Sequence, residues 1–232
     1  MCPTDIAKMK NDSPCLLTMF ADSWLTQLQK HRAIAVIRYP QLELGSQMAK
    51  AVSSGGMQLI EITWNSDQPA ELVRQLRSEL PSATIGAGTI LDLNQLREAI
   101  ASGAQFLFCP HVDSALIQAA VEAGVPIIPG ALSPTEIVTA WQAGASCIKV
   151  FPVQSVGGVN YIKNLQDPLG QIPLIPTSGV TKENAGGFLE AGAIAVGLSS
   201  QLFPKQLVAA RDWEGIAERA KSFYHQLVIR NS

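Results

Sequence analysis

A chain of 232 residues that is 47% hydrophobic and 16% charged has ample apolar material for one large buried core. Its 17 basic and 19 acidic residues leave a formal net charge of −2 and no basic patch, which argues against nucleic acid and requires an anionic substrate to be held by a few placed groups. No run approaches the roughly 18 apolar residues of a membrane span, and the four cysteines (Cys2, Cys15, Cys109, Cys147) show no CxxC pair or metal-ligand spacing, so the composition predicts a cytoplasmic chain with reduced thiols.

Residues 1–22 carry Lys8 and Lys10 ahead of a short apolar stretch, Cys15–Phe20, that Thr18 interrupts. This is weak as a secretory signal and reads as a flexible tail. Residues 23–232 contain no linker and read as one domain, beginning with a short helix near Ser23–His31 that would plug the bottom of the fold. Five times thereafter an amphipathic segment runs into a small residue and Gly, then into a short apolar strand. The copies are SSGG-MQLIEIT (53–63), ASG-AQFLFCP (101–110), EAG-VPIIPG (122–130), QAG-ASCIKVFP (142–152) and EAG-AIAVGLSS (190–200). Gly at that point suits a helix C-cap in the left-handed conformation.

Strands are expected at 33–38, 59–63, 84–88, 106–110, 126–129, 147–151, 173–177 and 194–197. They lack polar alternation, as in parallel sheets covered by helices. Helices are expected at 42–54, 68–80, 92–102, 114–123, 133–143, 159–166 and 184–191, with a last one over 212–228. Eight strands alternating with helices in this length predict a (β/α)8 barrel, with a doubly wound open sheet as the competing fold.

Barrel chemistry gathers where strands end. The ends here present Arg38, Glu61 with Thr63 and Asn65, Thr89, Pro110, Pro129, Lys149, Thr177 and Ser199. Of the nine lysines only Lys149 interrupts an apolar strand, and period-2 alternation puts it on one face with Cys147 and Phe151. An amine taken out of water favours its neutral form, which can attack a carbonyl. Glu61, alone of its kind within a strand, could move protons for such a reaction. The plain alternative is a structural Lys149–Glu61 ion pair. Gly86 to Thr89 would let a substrate approach the backbone, with the Thr89 hydroxyl on a carboxylate. Thr177-Ser178-Gly179-Val180 and Gly197-Leu198-Ser199-Ser200 follow the last two strands, the usual phosphate position in barrels. His111-Val112-Asp113 could be half of a metal site, but no further ligand is apparent, so no metal is expected.

Taken together, IEIT with Glu61, GAGT over 86–89, Ile128-Pro129-Gly130, IKVFP with Lys149, and TSGV followed by GLSS resemble the class I 2-keto-3-deoxy-6-phosphogluconate (KDPG) aldolases. The resemblance runs from about Ala33 to Phe203. It implies a Schiff base on Lys149, proton transfer by Glu61, carboxylate binding at Thr89, substrate contacts from Pro110 and Phe151, and phosphate held around Thr177, Ser178, Gly179, Gly197 and Ser199. It further implies a cytosolic homotrimer that acts on a small keto acid or sugar-acid phosphate, often including 4-hydroxy-2-oxoglutarate, without metal or coenzyme. Two departures stand out. Asn65 occupies the position where the gluconate-type enzymes carry a carboxylate-binding arginine, and Thr63-Trp64-Asn65-Ser66 looks more like the branch that cleaves the galactonate epimer. Arg38, at the end of the first strand, is the expected source of the missing charge. Both phosphate turns also hold serine where the gluconate-type enzymes have a Gly-Gly pair. The rival readings are oxaloacetate decarboxylation by the same lysine, a barrel isomerase without covalent chemistry, and a non-catalytic sugar-phosphate sensor.

Overall fold

The computed structural model describes residues 24–229, so Cys2, Cys15 and the tail expected over 1–22 lie outside the described residues. Helix α1 covers 24–31. Strand and helix then alternate: β1 (Ala33–Ile37), α2 (Leu42–Ser54), β2 (Leu59–Thr63), α3 (Pro69–Glu79), β3 (Thr84–Gly88), α4 (Leu93–Ala101), β4 (Leu107–Phe108), α5 (Ser114–Glu122) and β5 (Ile127–Ile128). There follow β6 (Gly130–Ala131), α6 (Pro134–Gln142), β7 (Ile148–Val150), a 3-10 turn (Val153–Val156), α7 (Val159–Leu169), β8 (Leu174–Pro176), α8 (Ala185–Glu190), β9 (Val196–Leu198), α9 (Lys205–Ala210), α10 (Trp213–Tyr224) and a π-helical turn (His225–Ile229). All pairings are parallel. One sheet runs β5-β4-β3-β2-β1-β9 and a second runs β6-β7-β8.

The five repeated glycines behave as their position predicts. Gly56, Gly103, Gly124, Gly144 and Gly192 all have positive φ, between 68° and 103°. At each, the glycine N–H donates three residues back and the next N–H donates five back, as in Gly103→Ile100 and Ala104→Ala99. These paired bonds satisfy helix-end carbonyls and turn the chain directly into the following strand. The N-termini are fixed from the other side by Asp92 and Asp113, which accept backbone N–H bonds, and by the Ser133–Glu136 capping box.

Three elements differ from expectation. The strand expected over 126–129 is two short pieces, because Pro129 has no N–H to donate to a ladder. The helix after residue 159 runs on through Pro168 to Leu169. α9 was not foreseen; it is six residues long with no buried side chain, so no apolar periodicity announces it.

Side chains on the two faces of the strands form separate apolar clusters. Ile60, Ile62, Ile148, Val150, Val196 and Leu198 face the helices. Ile34, Leu59, Phe106, Phe108, Ile128, Cys147, Ile175 and Ala195 face the other way, near the strands' N-terminal ends, and Trp24 and Leu28 of α1 pack into them. Trp24 stacks on Phe106 with ring centroids 4.8 Å apart. The α1 helix thus closes the end opposite the candidate site, as the sequence suggests.

Candidate active site

Following the inward face of each strand towards its C-terminal end, the side chains change from apolar to polar. On β2 the order is Leu59, Glu61, Thr63; on β7 and its continuation it is Cys147, Lys149, Phe151; on β1 it is Ile34, Val36, Arg38. The polar ends surround a cavity of about 450 Å³. Its lining includes Arg38, Glu61, Thr89, Pro110, Lys149, Phe151, Thr177, Ser178, Gly179, Gly197 and Ser199. Strand ends and the turns that follow them therefore bring together most of the residues that the sequence singles out. Asn65, which is exposed in the β2–α3 turn, is not among the lining residues, and neither are Pro129, His111 and Asp113. Thr63, Val180 and Ser200, which the sequence places at the same strand ends, also line the cavity, as does Val36, which it does not single out. The period-2 alternation of β1 points to Val36.

Lys149 is 9% exposed, and its Nζ stands 4.8 Å from the centroid of the Phe151 ring and 5.8 Å from that of Phe108. Aromatic faces offer a cation weak attraction and no proton acceptor. Among the described residues no ion pair joins Lys149 to Glu61, so the structural pair that the sequence left open is not formed. Glu61 is 1% exposed, and both of its carboxylate oxygens lack a hydrogen-bond partner. Burial pushes this carboxyl above the ordinary carboxylate range, opposed by the nearby charges of Lys149 and Arg38. A carboxyl whose neutral form is favoured in this way is suited to proton transfer.

The room for Glu61 comes from the neighbouring strand. A Cβ at Gly88 would collide with the Glu61 carboxyl, and Gly88 pairs with Thr63 in the β2–β3 register. Gly197 has the same relation to the Thr177 methyl. Two lining residues besides glycine hold left-handed backbone, Thr89 at φ 59° and Ser178 at φ 70°. Strain of this kind costs of order 1–3 kcal/mol and collects at functional sites. The Ser178–Gly179 turn is held from behind by Asn184, whose side-chain amide donates to the Gly179 carbonyl over 2.9 Å.

The remaining candidates have structural employment. Asp113 caps α5 through the Ala115 and Leu116 amides. Cys109 and Cys147 are buried free thiols, and burial pushes Cys109 up to about 12, which keeps it protonated and unreactive.

The family model "KDPG and KHG aldolase" matches residues 25–219. The chain belongs to the KDPG and KHG aldolase family. It is 31% identical over 188 residues to the KHG/KDPG aldolase of Escherichia coli, covering 81% of this chain and 88% of that protein. It is 34% identical over 174 residues to the 2-dehydro-3-deoxy-phosphogluconate aldolase of Pseudoalteromonas atlantica, covering 75% and 81%. Among solved structures, the KDPG aldolase of Legionella pneumophila, with pyruvate captured as a covalent carbinolamine, superposes with a TM-score of 0.80 at 26% identity, covering 86% of this chain and 97% of that one. A structure described as native KDPGal superposes with a TM-score of 0.77 at 31% identity, covering 85% and 96%. The protein is thus an aldolase, a carbon–carbon lyase.

Proposed function

We propose that this chain cleaves 2-keto-3-deoxy-6-phosphogluconate reversibly to pyruvate and glyceraldehyde 3-phosphate, and also cleaves 4-hydroxy-2-oxoglutarate, through a Schiff base on Lys149. The Lys149 amine adds to C2 of the keto acid, and loss of water from the carbinolamine leaves an iminium. That iminium accepts the electron pair of the C3–C4 bond as the C4 hydroxyl loses its proton and the aldehyde departs. The resulting enamine takes a proton at C3, and water then releases pyruvate and regenerates the amine. Glu61 moves the protons of these steps. The observation that carries this reading is the placing, in one cavity, of a nearly buried amine and a carboxyl that, among the described residues, have no ion pair and no hydrogen-bond partner respectively.

Arg38 and Thr89 hold the substrate carboxylate in this account, with Pro110 and Phe151 walling the keto acid. Arg38 is the one cation besides Lys149 among the lining residues, so it supplies the charge that Asn65 does not. Hydroxyls and amides of Thr177, Ser178, Gly179, Gly197 and Ser199 take the phosphate. We propose that the two parallel sheets close into one (β/α)8 barrel, a reading supported by the backbone bonds from the Ser146 N–H to the Ile127 carbonyl and from the Ile194 N–H to the Leu174 carbonyl. We further propose a cytoplasmic homotrimer that needs no metal or coenzyme.

A second reading, cleavage of the galactonate epimer, is favoured by the string Thr63-Trp64-Asn65-Ser66. Pyruvate release from the two epimers, 4-hydroxy-2-oxoglutarate and oxaloacetate, compared as kcat/KM, separates them. The proposal expects the gluconate epimer to lead; a faster galactonate epimer selects the second reading, and no cleavage of either sugar acid rejects both.

A further inference from the structure

The β1–β2 ladder ends at the pair Ile37–Ile62, one residue short of Arg38. Beyond that point the strands are joined by side chains of the turn that follows β2. The Ser66 hydroxyl accepts from the Tyr39 N–H at 3.2 Å and meets the Thr63 hydroxyl at 2.9 Å. Asp67 accepts from the Leu42 N–H at 3.2 Å. Arg38 therefore lies between the last ladder bond and the Ser66 bond, with the peptide on its C-terminal side fixed by Ser66. The anchor is itself held, because the Ser66 N–H donates to the Thr63 carbonyl at 3.1 Å and Thr63 is fully buried in β2.

A long, exposed arginine on an untethered loop would lose side-chain and backbone freedom on gripping a carboxylate, and that loss weakens binding. Fixing the peptide beforehand removes part of it. From this geometry we infer that Ser66 is a positioning residue for Arg38, with Asp67 extending the same tether to the start of α2. The turn that presents Asn65 in place of an arginine thus contributes to carboxylate binding indirectly, by holding the arginine of the neighbouring strand. This inference rests on the proposed role of Arg38.

The test is a double-mutant cycle on the full chain, read as KM and kcat for the keto-acid substrate that the wild type cleaves fastest. Ser66→Ala raises KM about tenfold and leaves kcat within about twofold, since Lys149 and Glu61 are untouched; Ser66→Thr, which keeps the hydroxyl, restores most of the affinity. In an Arg38→Ala background Ser66→Ala adds no further rise. A tenfold KM effect that persists undiminished in the Arg38→Ala background overturns the inference, because Ser66 then acts through Thr63 or general stability. An unchanged KM for Ser66→Ala, beside a raised KM for Arg38→Ala, overturns it while leaving the role of Arg38 intact. An unchanged KM for Arg38→Ala removes that role and the inference with it.

Discussion

The lower and upper halves of the strands' inward face are built from the same alternating positions, yet they do opposite work. Below, Ile34, Leu59, Phe106, Cys147 and Ile175 pack against one another and against Trp24. Further up the same face, Arg38, Glu61, Lys149 and Thr177 meet around a cavity. The lower half gains stability from every group it buries. The upper half buries a carboxyl whose oxygens accept no hydrogen bond and an amine that forms no ion pair among the described residues, both of which oppose folding. The difference teaches that stability and chemistry are divided by depth along the strands, so substitutions in the two halves should separate activity from stability.

The largest effect belongs to Lys149. Lys149→Met keeps an unbranched side chain and removes the amine, so cleavage should fall by at least ~10⁴-fold, since the covalent route is lost. Its thermal midpoint should hold or rise, because a buried, unpaired amine no longer has to be desolvated. A fall of several degrees would mark Lys149 as structural after all.

Gly88→Ala comes next. The new Cβ drives the Glu61 carboxyl out of its place, and a displacement of this size costs on the order of 10²-fold in kcat. Steady-state kinetics on the purified variant, beside circular dichroism showing an unchanged fold, would check it. A kcat within threefold of wild type would mean that the seat of Glu61 is unimportant.

Phe106→Ala tests the other half. It removes the ring on which Trp24 stacks and should cost about 3–5 kcal/mol of stability by denaturant titration. Activity per folded molecule should stay within a few-fold of wild type. A large loss of kcat with little loss of stability would erase the division by depth.

The smallest effect is in the pH dependence of stability. Glu61 has a folded-state pKa above its unfolded value, so the native state holds its proton more tightly than the unfolded chain. Its contribution is fully present below the ordinary carboxylate range and is lost as pH rises through the raised value. Glu61→Gln removes this dependence. The variant should therefore gain thermal stability relative to wild type as pH is raised from 4 to 8, a gap that melting curves at several pH values would read. A constant gap would contradict the burial of an unpaired carboxyl.

Much of this division was legible in the sequence. Lys149 and Glu61 each interrupt an apolar strand, and burying a charge there is costly enough to point to function. The five glycines placed the helix-to-strand turns because few other residues take a left-handed backbone cheaply. What stayed hidden has no periodic signal. α9 has no buried face to pattern, and the split at Pro129 depends on which N–H groups the ladder needs. The ties from Ser66 and Asp67 to the β1–α2 loop are side chain-to-backbone bonds across 27 and 25 residues. Asn65 is the instructive case: the family resemblance puts it at the substrate, whereas it sits in the β2–α3 turn and is not among the residues that line the cavity.

The central claim is that the upper half exists to hold a reactive amine. Borohydride reduction of the protein in the presence of pyruvate, followed by peptide mass mapping, tests this most directly. The account predicts one stable reduced pyruvate adduct, on the peptide containing Lys149, absent when pyruvate or borohydride is omitted. No adduct, or an adduct on a different lysine, would contradict it.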